Sequence, residues 1–273
     1  MPARLRDWIA HAENEASLRQ PMRLRERLEV LDRLELHAES SSDTQLLAHA
    51  GRLRAELEEI NRHLYAMLRQ DIRAGRNAFA PWIDALEDAP AGDHYDYRDD
   101  LVSGVLALDE PDEVAPLPPE MVFYQPTPAR HIFELIRRAA LSERDVVMDL
   151  GSGLGIVPML VAAATNAHAV GVEREATFVD AARRGAQNLN IIRASFDCRD
   201  ARATDFSVPT LFYLYTPFTG TVMSAVLTAL HREAKRRPIR LATFGPCTSV
   251  VAAQAWLRKN EVRLGRVSIF HSE

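Results

Sequence analysis

The sequence predicts an α/β protein in which a Rossmann-like, doubly wound, mostly parallel sheet follows an N-terminal helical module. Two observations lead to this fold class. Short apolar runs alternate with helical patterns from about residue 127 onward, whereas residues 1–87 show helical periodicity alone. A glycine-rich turn also follows the first of the apolar runs. Alternating strands and helices are typical of a parallel sheet covered by helices on both faces.

The helical module, predicted over residues 1–87, contains two strong periodic patterns. Residues Leu24, Leu28, Leu31 and Leu34 share one face of a helix that Pro21 could open, and Asp43 is a predicted N-cap for the next helix. That next helix carries a heptad seam of Leu46, Ala50, Leu53, Leu57, Ile60, Leu64 and Met67. Such a seam predicts either a hairpin packed within the chain or a coiled coil that joins two copies in a homodimer.

Residues 88–120 form a predicted connecting segment that is rich in proline and acid. The net charge is 0 over residues 1–80, −11 over residues 81–120 and +6 over residues 121–273. Only residues 101–108 resemble a short strand or helix. The segment is either a solvated linker or a lid over the active site, and its charge would suit a cationic acceptor such as an amine or a basic protein segment.

The third region, residues 121–273, carries the alternating pattern. Thr127 and Pro128 are a predicted N-cap and first residue of its opening helix. Predicted strands are 146–148, 169–172, 194–198, 210–215, 239–244 and 267–271, the last being one strand or part of a tight hairpin around Gly265. Predicted helices between them are 154–164, 176–189, 222–236 and 250–258.

The composition fits a cytoplasmic bacterial protein. Apolar residues make up 47% of the 273 residues, and the two cysteines, Cys198 and Cys247, cannot form a disulfide framework. Neither a secretory signal nor an apolar run long enough to cross a bilayer is evident, so no membrane partner is expected. The net charge of +6 over residues 121–273 is small for a nucleic-acid-binding protein, so a nucleic-acid partner is disfavoured. These charges could still form one basic patch that binds nucleic acid.

The chemical signal is the string DLGSGLG, residues 149–155, at the turn from the first strand of the sheet to its helix. Gly151, Gly153 and Gly155 permit a sharp turn and close approach of a ligand, and Ser152 lies between them. Dinucleotide sites prefer the spacing G-x-G-x-x-G, and Asp149 would repel a pyrophosphate. S-adenosylmethionine has no phosphate, and its α-ammonium group suits an acid at this position.

Two further acids follow the next two strands. Glu173 closes the second strand, where a carboxylate can accept hydrogen bonds from both ribose hydroxyls. Asp200 follows the third strand, where it could accept a hydrogen bond from the adenine amino group. The carboxyl ends of parallel strands lie at one edge of a sheet, so the three acids are expected to meet there.

These motifs resemble the class I, seven-stranded S-adenosylmethionine-dependent methyltransferases over residues 121–273. A narrower resemblance, to the seven-stranded histone-lysine methyltransferases, rests on YQPT at residues 124–127, DLGSGLGIV and GVE. That resemblance implies that Tyr124 and Thr127 contact the cofactor. The histone substrate is not carried over, because the substrate-side motifs of that family are not evident here.

The acceptor side is less well defined by the sequence. The fourth strand ends in Tyr215-Thr216-Pro217-Phe218, where methyltransferases of planar amino groups often have Asn or Asp followed by Pro-Pro and an aromatic residue. A protein side chain or a small molecule is therefore favoured over a nucleobase. Tyr124 and Tyr215 are weak catalytic candidates, and polar residues near the predicted mouth are Tyr97, Asp99, Asp100 and His131. The His and Cys residues show no metal-ligand spacing.

Two other functions remain open from the sequence. One is an NAD-binding oxidoreductase with the same sheet, which the glycine spacing and Asp149 disfavour. The other is a non-catalytic cofactor-binding or scaffold protein in which the helical module does the work. Every motif that points to the cofactor lies after residue 120. We therefore expect the N-terminal helices and the acidic segment to govern acceptor choice.

Overall fold

The computed structural model describes residues 2–86, 92–109, 111, 116–259 and 265–273. The chain falls into two compact units, one of Met1–Gln70 with Asp100–Val105 and one of Asp71–Asp99 with Leu106–Glu273. Parts of the predicted connecting segment, residues 88–91, 110 and 112–115, lie outside the described residues. No helix in the described ranges is both long and apolar enough to cross a membrane.

The first unit is helical, as predicted. Its helices are α1 (Pro2–Asn14), α2 (Leu24–Ala38) and α3 (Thr44–Arg73), the last of which ends in the second unit. Asp43 caps α3 by accepting hydrogen bonds from the amides of Gln45 and Leu46 at 3.1 and 3.0 Å, which confirms the predicted N-cap. Helix α2 begins at Leu24 rather than at Pro21, whose carbonyl instead accepts a hydrogen bond from the guanidinium of Arg27.

The predicted heptad seam on α3 is wrong at its last position. Leu46, Ala50, Leu53, Leu57 and Leu64 are buried and Ile60 packs against the core that α1 and α2 complete, but Met67 is 39% exposed, and Asn61 and Leu68 are buried in addition. A straight helix has 3.6 residues per turn, so its buried face drifts away from a strict seven-residue repeat. Asn61 is buried because its side-chain oxygen accepts a hydrogen bond from the Arg27 Nε at 2.6 Å. Homodimer formation through these helices stays a prediction.

The second unit contains a seven-stranded sheet, which confirms the predicted fold class. The strands are β1 (Val146–Leu150), β2 (His168–Glu173), β3 (Ala194–Cys198), β4 (Leu211–Tyr215), β5 (Arg240–Phe244), β6 (Leu257–Lys259) and β7 (Ser268–Ser272). Their order is β3-β2-β1-β4-β5-β7-β6, with β7 antiparallel to both of its neighbours. The remaining helices are α4 (Ala80–Asp84), α5 (Tyr97–Leu106), α6 (Ala129–Ala139), α7 (Ile156–Ala164), α8 (Ala176–Asn188), α9 (Gly220–Ala234) and α10 (Cys247–Ala252).

The predicted helix over residues 250–258 is wrong after residue 252. Helix α10 ends at Ala252, and residues 257–259 form the edge strand β6 instead. Pairing with β7 satisfies the backbone of this segment and buries Leu257 in the sheet core. The spacing of Val250, Val251 and Leu257 fits a helical face as well as it fits this arrangement, so periodicity alone could not separate them.

The strand order fixes where a ligand can bind. Strand β1 lies between β2 and β4. From β1 the strands β2 and β3 extend the sheet in one direction, and the chain then returns to add β4 and β5 in the other direction. In open α/β sheets, ligands bind outside the carboxyl ends of the strands at such a switch point. The glycine-rich loop, residues 151–155, leaves β1 at this point.

Candidate active site

The glycine-rich loop is held to β2 by its own backbone. The amides of Gly151 and Ser152 both donate to the carbonyl of Val172, at 2.8 and 3.1 Å. The Ser152 hydroxyl is buried and has no hydrogen-bond partner among the described residues. The hydroxyl lies against Gly171 of β2, where an ideal Cβ would come within 2.6 Å of its Oγ.

Glycine is required at three positions of the loop. Gly151, Gly153 and Gly155 have φ angles of +79°, +51° and +75°, a region that side chains with a Cβ rarely adopt. Neighbours also leave no room for a Cβ. An ideal Cβ would lie 2.3 Å from Pro217 at Gly151, 2.0 Å from the Tyr124 ring at Gly153 and 2.3 Å from Phe196 at Gly155.

A cavity of about 850 Å³ opens beside this loop. The structure brings most of the predicted site residues together in its wall: Asp149, Gly151, Ser152, Glu173, Asp200, Tyr124, Thr127 and Tyr215. Gly153 and Gly155 are not among the lining residues; they pack against Tyr124 and Phe196. The three acids thus meet at one edge of the sheet, as the strand positions predict.

Asp149 is buried and carries the most perturbed carboxyl group of the site. Burial, and secondarily the negative charge of Glu173, raises the pKa of Asp149 to about 8. In the protein without a ligand this carboxyl group is therefore mostly protonated at neutral pH. A cation that enters the cavity would favour the ionised form and lower this pKa again.

We expect the affinity for S-adenosylhomocysteine to rise between pH 6 and pH 8. Asp149, with a pKa of about 8 in the free protein, must lose its proton to pair with the ligand's α-ammonium group. Between the lower pKa of the complex and the higher pKa of the free protein, the association constant should rise by up to about tenfold per pH unit. Calorimetry in two buffers of different ionisation enthalpy measures the released proton. Asp149→Asn should abolish both effects, and a wild-type affinity that does not change with pH would contradict them.

Glu173 organises the loop as well as facing the cavity. Its Oε2 accepts a hydrogen bond from the amide of Gly153 at 2.9 Å, and its Oε1 accepts from the amides of Arg174 and Glu175 at 2.6 and 2.9 Å. A carboxylate has about four acceptor positions, so one on Oε2 is left for a ligand hydroxyl. The predicted ribose role therefore fits one hydroxyl directly, and binding both would require one of the amide contacts to open.

Asp200 is largely committed to Arg202. Its Oδ1 accepts hydrogen bonds from the amide and Nε of Arg202, and its Oδ2 lies 2.7 Å from Nη2 of the same residue. The hydrogen bonds from Arg202 lower the pKa of Asp200 to about 2, so the carboxylate is ionised. Its place in the cavity wall suits the predicted adenine contact, which would use the remaining acceptor position on Oδ2.

Thr127 does not cap α6, contrary to the sequence prediction. Its hydroxyl instead lies 3.1 Å from the hydroxyl of Tyr213, and both side chains are buried. The free amide of Ala129 at the start of α6 donates to the Asp99 Oδ1 at 2.8 Å, so the cap comes from a distant acid. Tyr213 is a site residue that sequence reasoning missed. It lies on β4 directly opposite Asp149 on β1.

The hydrogen bond between Tyr213 and Thr127 attaches residues 124–127 to the sheet. We expect Tyr213→Phe to weaken S-adenosylhomocysteine binding by about tenfold, since a net hydrogen bond contributes about 0.5–1.5 kcal/mol and Thr127 would lose its buried partner. Thr127→Val should have a similar effect. The double variant should lose little more than either single variant in a calorimetric double-mutant cycle. Losses that simply add would show that the two hydroxyls act independently.

Tyr124 covers the glycine-rich loop. Its ring packs against Gly153 and lies 4.9 Å from the ring of Phe178 on α8, centroid to centroid. Tyr215 lies across the cavity, where its ring packs on Phe244 at 4.8 Å. Burial raises the pKa of Tyr215 to about 12, so its phenol stays neutral and does not serve as a general base at neutral pH.

The turn after β4 is tightly constrained. Thr216 has a φ of +43°, and its hydroxyl accepts a hydrogen bond from the amide of Cys247 at 3.0 Å. Pro217 lies against Gly151, while Phe218 is buried in the sheet core and bridges to Met121. This turn therefore forms one wall of the cavity, with the Thr216 side chain committed to the protein.

Two of the polar residues predicted near the mouth have structural roles. Asp99 caps α6, as described above. His131 is buried, with its Nε2 within 2.7 Å of the Gly92 carbonyl and its ring 4.1 Å from the ring of Phe244. Neither residue is among those that line the cavity in the described part of the chain.

Comparison with known families finds a match in this same segment. Residues 122–207, which hold Tyr124, the glycine-rich loop, Glu173 and Asp200, match the family described as histone methylation protein DOT1. The match confirms the resemblance to class I S-adenosylmethionine-dependent methyltransferases. A comparison with curated proteins finds no match.

Several solved structures share part of the fold. An RNA methyltransferase from Salinibacter ruber, in complex with S-adenosylhomocysteine, is 23% identical over 54% of this chain and 92% of its own, with a TM-score of 0.43. The Pyrococcus abyssi tRNA (uracil-54, C5)-methyltransferase, also with S-adenosylhomocysteine, is 20% identical over 55% of this chain and 39% of its own, with a TM-score of 0.41. A precorrin-6y C5,15-methyltransferase from Geobacter metallireducens is 14% identical over 56% and 94%, with a TM-score of 0.41. Likenesses at this level say nothing about the acceptor.

Proposed function

We propose that the protein transfers a methyl group from S-adenosylmethionine to a protein side chain or a small molecule rather than to a nucleobase. The observation that carries this proposal is the convergence of the glycine-rich loop, Asp149 and Glu173 on one cavity at the switch point of the sheet. The family match covers the same residues.

The residues present fit this cofactor. Asp149 would hold the α-ammonium group, and the start of α7 would hold the α-carboxylate. Glu173 would accept a ribose hydroxyl. Close packing of Gly151 on Pro217 and of Gly153 on Tyr124 keeps the loop backbone in place for these contacts.

Methyl transfer from a sulfonium depends more on alignment of the acceptor with the methyl group than on acid–base catalysis. When bound, S-adenosylmethionine supplies a methyl group already activated on a sulfonium. The protein's contribution is then to align the acceptor in line with that bond and to exclude water. Tyr124 and the turn at Pro217 are placed to do this, because they stand on two sides of the loop. Tyr215 would contribute as a neutral hydrogen-bonding phenol.

The turn after β4 supports the choice of acceptor class. A planar amino group is usually held by an amide or acid at the first position of this turn, and here Thr216 directs its hydroxyl to the amide of Cys247. An acceptor that depends less on planar hydrogen bonding fits this wall better. The family description names a histone-methylating protein, which is consistent with a protein acceptor and leaves a small molecule open.

The test is methyl transfer from isotopically labelled S-adenosylmethionine to three acceptor pools: basic proteins, small-molecule extracts, and RNA with DNA. Label is expected in the first or second pool. A variant carrying both Asp149→Asn and Glu173→Gln should transfer none. Label confined to nucleic acid would overturn the proposed acceptor class, and retention of full activity by the double variant would overturn the proposed site.

A further inference from the structure

The cavity has a second wall whose chemistry differs from that of the cofactor side. Asp93, Tyr215 and Pro246 line it. Asp93 is exposed at the cavity mouth, and its side chain forms no hydrogen bond or ion pair with another described residue. Tyr95 and Asp93 lie near enough to Tyr215 to contribute, after burial, to the raised pKa of its phenol. Tyr95 is fixed in turn by its hydroxyl, which donates to the Pro126 carbonyl at 3.0 Å.

Three large apolar side chains of the cavity lining are also exposed at the surface and are called the apolar rim below. Leu117, Val122 and Phe123 line the cavity and yet are 54%, 42% and 79% exposed. Large apolar side chains that surround a cavity are typical of a binding surface. The rim is anchored, because the amide of Val122 donates to the Pro217 carbonyl at 3.3 Å and Met121 pairs with Phe218.

We propose that this wall and rim form the acceptor subsite, and that the acceptor is a small molecule with an apolar body and a protonated amine. The inference rests on the proposed methyl transfer and names its substrate class. The Asp93 carboxylate would pair with the ammonium, and the neutral ring of Tyr215 would offer its face to the same cation. Leu117, Val122 and Phe123 would cover the apolar body.

The cavity favours a small molecule over a macromolecule. Its volume of about 850 Å³ lies in the range of small-molecule sites, with room for a cofactor and a compact second ligand. A nucleic acid would bring phosphates toward Asp93. A basic peptide would also pair with Asp93, but its charged, hydrated side chains would not cover the apolar rim. Binding of such a peptide is therefore the competing outcome of the test.

The transfer step balances without a further reactant. The bound ammonium first releases one proton to water at the exposed mouth. The nitrogen lone pair then forms a bond to the methyl carbon as the carbon–sulfur bond breaks, and that bond's electron pair stays on sulfur. The products are an N-methylammonium ion and S-adenosylhomocysteine.

The test measures binding of phenylethylamine to the full chain saturated with S-adenosylhomocysteine. Calorimetry should detect phenylethylamine, but neither phenylpropanoate, which has the opposite charge, nor propylamine, which lacks the ring. Asp93→Asn should weaken binding of phenylethylamine by about two- to fivefold, the range for an ion pair at an exposed position. Phe123→Ser should weaken it by about tenfold through lost apolar burial.

Matched controls come from the same chain. Asp109→Asn removes an exposed acid from the same acidic region, and Ile192→Ser removes a side chain that is 81% exposed elsewhere; neither residue lines the cavity. Both variants should bind phenylethylamine as the wild type does.

Three outcomes would overturn the inference while leaving the proposed function intact, provided that S-adenosylhomocysteine itself binds. They are no binding of phenylethylamine, full binding by Asp93→Asn, or Asp93-dependent binding of a lysine-rich peptide in place of phenylethylamine. Failure of S-adenosylhomocysteine to bind would overturn the proposed function, and the inference with it.

Discussion

Gly153→Val is expected to reduce affinity for S-adenosylhomocysteine by about a hundredfold or more while the chain stays folded. The φ of +51° at this position is strained for a β-branched residue, and a Cβ would lie 2.0 Å from the Tyr124 ring. The loop, Tyr124 or both must therefore move. This revises the reason that the sequence alone suggests, since the first collision is with Tyr124 and not with the cofactor.

Calorimetry with thermal unfolding as a folding check measures this effect. Gly51→Val is the matched control, because a Cβ at Gly51 meets no atom within 4 Å. Its affinity for S-adenosylhomocysteine should equal that of the wild type. A double variant with Tyr124→Ala should recover part of the lost affinity if the ring is the obstacle. Wild-type affinity in folded Gly153→Val would show that the loop is not the cofactor site.

Glu173→Gln is expected to weaken S-adenosylhomocysteine binding by about 1–3 kcal/mol, the range for hydrogen bonds to a charged group. The carboxylate accepts three backbone amides, from Gly153, Arg174 and Glu175, and faces the cavity with its remaining acceptor position. An amide group would turn a donor toward one of those N–H groups. Loss of the loop contact and loss of the ribose contact should therefore act together.

The ribose contact can be separated from the loop contact by changing the ligand. Wild-type protein should bind the deoxyribose analogue of S-adenosylhomocysteine more weakly, and Glu173→Gln should discriminate less between the two ligands. Asp180→Asn, which removes an exposed charge from α8 near the site, is the control and should bind both ligands as wild type does. Equal discrimination by wild type and Glu173→Gln would exclude the ribose role.

Much of the fold and the cofactor side could be predicted because their signals are local in the sequence. Strand–helix alternation predicts the sheet, and each predicted acid lies within two residues of the carboxyl end of a strand, so parallel pairing brings them to one edge. Tyr213 could not be predicted in this way. It reads as one apolar position in a buried strand, and its partner Thr127 is 86 residues away. Only the strand order brings β4 against β1.

The packing of residues 71–99 with the sheet could not be predicted from the sequence either. Residues 71–99 belong to the same compact unit as the sheet. Phe79 packs on Phe133 of α6, and the Leu86 carbonyl accepts a hydrogen bond from Arg137. Removal of the residues before the sheet would break these contacts and expose α6. Acceptor choice is better tested by point variants in the full chain, such as Asp93→Asn.

The most direct test of the central claim is a calorimetric titration of the full chain with S-adenosylhomocysteine and, separately, with NAD. Both ligands suit Rossmann-like sheets, but Asp149 can ionise to pair with an ammonium group, whereas a pyrophosphate would keep it protonated and gain no ion pair from it. We predict binding of S-adenosylhomocysteine at one site per chain, abolished by Gly153→Val, and no binding of NAD. Binding of NAD with no response to S-adenosylhomocysteine would contradict the methyltransferase assignment.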